Sequence, residues 1–151
     1  MDYNAAIKEM MEGYGQETPD CPIEFYNLGY EFRDSIYDAM LALDKVVESL
    51  PEGNPRSLRI SMLVEEFQEY LVAEKDDDRV EVADALGDIK VILQGTGLAY
   101  GFDMDAIDSE IHASNMSKMV DGKVVKRADG KVMKPEGYFP PNLADILGCD
   151  R

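Results

Sequence analysis

PRSLRISMLVEEFQEYLVAEKDDDRVEVADALGDIKVILQGTGLAYG, residues 55–101, is the stretch that decides the fold of this chain. Ile60, Val64, Phe67 and Leu71 recur three or four residues apart, which predicts a helix over about 56–74 with one apolar stripe. Asn54 is placed to cap it, with Pro55 at its first position, where a missing N–H costs nothing. Asp76–Asp78 then breaks the pattern. Val82, Leu86, Ile89 and Leu93 stripe a further helix over about 79–100, which Gly101 stops. So short a break lets the two helices face each other.

The same stretch carries Glu66-x-x-Glu69 and Glu81-x-x-Asp84. Residues three apart on a helix stand side by side, with Cβ atoms ~5–6 Å apart. Each pair is thus a two-carboxylate claw, one on each of two facing helices. Two ionised acids at ~5.5 Å repel by about 3 kcal/mol at an effective dielectric of ~20, so a cation is expected between them. Glu66 interrupts an apolar row between Leu63 and Tyr70, and Asp84 and Asp88 run beside the core stripe. Carboxylates at the edge of a core are costly unless paired or metal-bound. Hard oxygen donors in this number suit Mg²⁺ or Mn²⁺. A di-iron carboxylate centre requires Glu-x-x-His on two helices, and the single histidine, His112, follows Glu110 at the wrong spacing. Gly87, unfavourable within a helix, leaves room for another helix or a ligand.

Working outward, residues 4–13 form a short amphipathic helix closed by Gly13. Tyr26, Tyr30, Ile36, Met40, Leu43, Val47 and Leu50 predict a long helix over about 23–50, broken by Pro51-Glu-Gly-Asn-Pro55. Asp103 caps a fifth helix that runs to about 119. The segment 120–142 differs: two Asp-Gly pairs, at 121–122 and 129–130, flank short Val-rich pieces, which favours a hairpin or ordered arm. Lys118, Lys123, Lys126, Arg127, Lys131 and Lys134 make this arm basic against Asp121 and Asp129. The expected fold class is all-α: a four- to five-helix bundle with a basic C-terminal hairpin or arm (119–142), a single domain over 1–151 without internal repeat.

A net charge of −16 argues against nucleic-acid and anionic-membrane partners, because like charge repels phosphate at long range. A phosphate substrate therefore needs a cation as mediator. Cys21 and Cys149 have neither metal nor redox spacing and read as two free thiols. No basic and apolar leader is evident at Met1-Asp2-Tyr3, and no apolar run reaches the ~18 residues of a membrane span, so the expected location is the cytoplasm.

Arg59-x-x-x-Leu63-x-Glu65-Glu66-x-x-Glu69, followed by Glu81-x-x-Asp84-Ala-Leu-Gly-Asp88, resembles the signature of the MazG-like all-α nucleoside triphosphate pyrophosphohydrolases. Ser114-Asn115-Met116-Ser117-Lys118 and the Lys/Gly arm resemble the short, single-domain bacterial and phage members, which are related to phosphoribosyl-ATP pyrophosphohydrolases. The likeness covers about 59–142; the 23–50 helix matches by pattern only. It implies a homodimer or homotetramer with active sites near subunit boundaries, and hydrolysis of a (deoxy)nucleoside triphosphate to a monophosphate and pyrophosphate. It further implies Glu66, Glu69, Glu81 and Asp84 as ligands of Mg²⁺ (or Mn²⁺), with Glu65 a ligand or a water-orienting base. Asp88 is either a supporting acid or a surface partner of Asp84. Asn115 and Lys118 would contact phosphate.

On that reading water attacks phosphorus, at Pα, in line, and Glu65 or Glu69 accepts its proton. The departing pyrophosphate is held by arm lysines, Lys131 and Lys134 among them. Tyr138 and Phe139 either stack on a base or pack the arm. The base lean is towards a purine deoxynucleotide such as dGTP. Two rivals stand beside it: a pyrophosphohydrolase acting on phosphoribosyl-ATP or a modified nucleotide, and a non-catalytic helical partner protein whose acids hold a structural cation. The basic arm favours the enzyme, since a structural site needs no grip on a polyanion.

Overall fold

The structure is a computed structural model describing residues 2–149. It is mostly helical, with one two-stranded sheet, as the periodicity predicts. The chain packs as two compact units, one formed by Ile23–Tyr100 and the other by the two chain ends, up to Pro22 and from Gly101.

The central unit holds α2 (Tyr30–Glu48), α3 (Pro55–Lys75) and α4 (Arg79–Ala99), with α3 packed along α4 and α2 along α3. Asn54 caps α3, its side-chain oxygen accepting from the Arg56 N–H at 2.9 Å, and Pro55 takes the first position. The α3–α4 turn divides its three acids among three tasks. Asp76 ends α3, Asp77 adopts a left-handed φ of 56°, which a short polar side chain tolerates, and Asp78 caps α4 by accepting from the N–H groups of Val80 and Glu81. Asp77 also accepts from the Arg33 guanidinium at 3.1 Å, so the turn is pinned to α2.

Three expectations need correction here. The long helix begins at Tyr30 rather than 23. Gly29 sits at φ 92° and ψ 166°, outside helical space, and the Asn27 side chain accepts from the Gly29 N–H, ending any earlier turn. Residues 23–29 run without helix, and the Arg79 guanidinium holds them by donating to the Ile23 carbonyl at 3.2 Å and the Glu24 carboxylate at 3.3 Å. Tyr26 and Tyr30 are consequently exposed, and the stripe starts at Ile36. On α4 the buried face is Val82, Ala85 and Ile92, with Gly97 beyond, while Leu86 and Leu93 stand half in solvent. On α3, Phe67 is 42% exposed, and Ala73 is the buried residue.

The terminal unit pairs α1 (Tyr3–Gly13) with α5 (Met104–Met116), and α5 with a short α6 (Leu143–Leu147). Asp2 and Asp103 cap α1 and α5, accepting from the N–H groups of Ala5 and Ala106. Helix α5 stops at Met116, short of the expected 119, because Met119 enters the hairpin. That hairpin joins β1 (Met119–Val120) to β2 (Lys123–Val124), with Val120 opposite Lys123. Asp121 and Gly122 both have positive φ, 52° and 75°, the conformation that an Asp-Gly pair supplies in a two-residue turn. A second reversal at Asp129-Gly130 pairs Lys126 with Val132. Helix α6 is absent from the sequence reading: five residues after two prolines leave no periodicity to detect. Both cysteines are free and exposed, and no helix among the described residues is long and apolar enough to cross a membrane.

Candidate active site

The α3–α4 pair brings the acids together in the antiparallel register. Glu66 is the centre. Its Oε2 is closed off from solvent and has no hydrogen-bond partner. Burial pushes its carboxyl above the usual range, and the charges of Glu69, Asp88, Glu65 and Asp84 push it further the same way. Those neighbours, on both helices, are themselves exposed. A buried carboxylate oxygen without a donor is costly, and here four like charges surround it. Asp88, left open between a supporting acid and a surface partner of Asp84, acts on Glu66 more strongly than Asp84 does.

Glu65, Glu69 and Glu81 line a groove of about 540 Å³ together with Asp76 and Asp78. Met40, Val72 and Ala73 form its apolar wall. Gln68 stands in the same wall, its amide donating to the Met40 carbonyl at 3.3 Å and the Asp44 carboxylate at 2.7 Å. That fixes α2 against α3 beside the acids. The all-oxygen donor set, the crowding of charge and the orphaned Glu66 oxygen fit a hard divalent cation. As the side chains stand, no three His, Cys, Asp or Glu groups among the described residues already enclose a point where an ion would sit.

Sequence reasoning assigned no role to Arg59 or Gly95. They face each other across the helix pair: a Cβ on Gly95 would lie 3.5 Å from the Arg59 Nη1. The constant sum of residue numbers in an antiparallel helix pair places this contact two turns from Glu66 and Asp88, and the motif residue Arg59 was the available signal. Gly87, by contrast, faces open space within this chain.

The remaining expected residues lie in the terminal unit. Lys118 follows α5 and donates through Nζ to the Asn115 Oδ1 at 2.8 Å. The Tyr138 ring lies against the Lys134 ammonium, 4.5 Å from its centroid, and against the Lys118 ammonium at 6.0 Å. The aromatic face thus stabilises two neighbouring cations, and the ring is packed within the arm. Phe139 is held by its backbone, its carbonyl accepting from the Ser114 hydroxyl at 2.9 Å and its N–H donating to the Ser117 Oγ at 3.2 Å. Lys131 borders a separate hollow of about 340 Å³ with Arg127, Val132, Met133 and Lys134.

Comparison of the whole sequence with curated proteins gives no match. Among solved structures, the chain is similar to the crystal structure of a candidate NTP pyrophosphohydrolase from Exiguobacterium sp. 255-15. That likeness has a TM-score of 0.59 at 19% identity and covers 98% of this chain and 93% of the other, which establishes the shared fold. The family model of phosphoribosyl-ATP pyrophosphohydrolase matches residues 31–115, more than half of the chain, from α2 through both acid claws to Asn115. The paired acids on α3 and α4 thus sit inside a recognised family segment, and the chain belongs to the phosphoribosyl-ATP pyrophosphohydrolase family, a nucleotide pyrophosphohydrolase of the MazG-like kind.

Proposed function

We propose that the protein is a Mg²⁺- or Mn²⁺-dependent (deoxy)nucleoside triphosphate pyrophosphohydrolase that releases a nucleoside monophosphate and pyrophosphate, leaning towards a purine deoxynucleotide such as dGTP. The observation that carries this reading is Glu66: a carboxylate oxygen shut off from water, unpaired, and ringed by four acids. Glu66, Glu69, Glu81 and Asp84 would hold the cation, and Asp88 would support Glu66. When bound, the cation neutralises acids and phosphates together and lowers the pKa of water in the site. Glu65 or Glu69, both on the groove wall, accepts the proton of the attacking water. Asn115, Lys118, Lys131 and Lys134 supply donors and positive charge for phosphate oxygens, and the packed Tyr138 keeps two of those lysines in place. Leu86, Leu93 and Phe67, exposed on the central unit, support a homodimeric or homotetrameric protein.

Phosphoribosyl-ATP is the second reading, favoured by the family model itself. A pyrophosphate-release assay over a panel of ribo- and deoxynucleoside triphosphates and phosphoribosyl-ATP, with and without Mg²⁺, separates the two. Turnover of phosphoribosyl-ATP alone would overturn the first, and no release from any substrate would overturn both.

The metal reading also has a stability signature with a definite sign. The folded Glu66 carboxyl lies above its ordinary value, so between that value and the raised one the folded chain holds a proton that the unfolded chain has released. Stability of chelator-treated protein should therefore fall as pH rises through that window. Glu66→Gln removes the charge and should flatten that fall. Mn²⁺ at a hundredfold excess over its Kd should stabilise the native chain by ~2.7 kcal/mol, and the Gln variant should lose most of this gain. Thermal midpoints across pH, with EDTA and with Mn²⁺, measure both effects; equal wild-type midpoints under the two conditions would remove the shared site.

A further inference from the structure

We propose that Tyr14 is a positioning residue for the phosphate grip, through Asn115 and Lys118. The inference rests on the proposed phosphate role of those two residues and adds a group from the opposite end of the chain. Tyr14 caps the end of α1, and its hydroxyl donates to the Asn115 carbonyl at 2.9 Å across 101 residues of sequence. The same carbonyl accepts the Lys118 N–H at 3.2 Å. It belongs to the last turn of α5, where carbonyls lack intrahelical partners and carry the negative end of the helix dipole. Two donors on this carbonyl offset partial negative charge at the place where a phosphate is to be held.

The side chains then follow from donor chemistry. The Lys118 ammonium has hydrogens to give and no lone pair, so the Asn115 amide must turn its oxygen towards it, as the 2.8 Å contact shows. The amide NH₂ is thereby directed away from the lysine and left to donate elsewhere. The Lys118 ammonium also lies over the Tyr138 ring, which leaves its third hydrogen unassigned to any carboxylate. No acidic side chain forms an ion pair with Lys118 among the described residues. An amide NH₂ and an ammonium, held side by side without an anionic partner, form a two-donor clamp for phosphate oxygens. The Tyr14 hydroxyl sets the backbone from which both side chains project.

The test compares wild type with Tyr14→Phe, Asn115→Ala and their double variant. Pyrophosphate affinity is titrated in the presence of Mg²⁺, with KM and kcat measured for dGTP and urea midpoints taken in parallel. Tyr14→Phe removes one hydroxyl and keeps the ring. It should weaken pyrophosphate and raise KM by roughly three- to tenfold, with kcat changed much less. The double variant should lose less than the product of the two single losses, because the Asn115 side chain is one of the two groups that Tyr14 positions. Unchanged pyrophosphate affinity in Tyr14→Phe, or losses that simply multiply in the double variant, would overturn the role. A lowered urea midpoint with intact affinity would likewise assign Tyr14 to stability alone. If Asn115→Ala itself binds as wild type does, the phosphate reading fails with it; if Asn115→Ala weakens binding and Tyr14→Phe does not, the failure is of this inference only.

Discussion

Glu69→Gln and Asp84→Asn are each expected to lower kcat/KM by more than about a hundredfold while the fold survives. Both substitutions keep side-chain shape and remove one carboxylate charge from the α3–α4 acids. Even groups that only orient metal ligands typically cost 10–100-fold when lost, and a direct ligand should cost at least as much. The fold should tolerate the change, because both residues are exposed and each removes a repulsion on Glu66. Turnover on a nucleoside triphosphate with saturating Mg²⁺, beside a circular-dichroism melt, gives the result. Wild-type turnover in both purified variants would take these residues out of the mechanism. A variant that loses activity and also unfolds would point to a structural role for the acid instead.

Lys118→Ala should weaken triphosphate binding by roughly tenfold to a hundredfold, since a hydrogen bond to a charged group contributes ~1.5–3 kcal/mol. Asn115→Ala should act in the same direction. The alternative is that the arm only offsets the acidity of the chain, and it makes the opposite forecast: lower stability with unchanged nucleotide affinity. The geometry already separates the arm cations. Arg127 is paired with Asp129, a partner two residues away. Lys118 and Lys134 instead rest on the Tyr138 ring and form no ion pair among the described residues. Nucleotide titrations and denaturation midpoints measured on the same samples decide between the forecasts.

Much of this protein is determined by short-range sequence. The caps Asn54 and Asp103, the stop at Gly101 and the Asp121-Gly122 turn act within a few residues of themselves, so their positions could be read directly. The acid claws were legible for the same reason: three-residue spacing on a helix places two carboxylates side by side whatever surrounds them. Tertiary structure alone decided the rest. Residues 23–29 carry enough apolar side chains to suggest a helix, yet Gly29 and the distant Arg79 hold them out of one. Leu86 and Leu93 look like core positions, but the α3–α4 packing buries the neighbouring Ala85 and Ile92 face. Which of the four acids bears the burden of burial was equally invisible, since three-residue spacing does not say which oxygen the folded chain closes off, and it is Oε2 of Glu66. Tyr14 shows the limit most plainly: its hydroxyl meets Asn115 across 101 residues, a hydrogen bond that periodicity, spacing and capping rules cannot encode, because it exists only once α1 and α5 have packed.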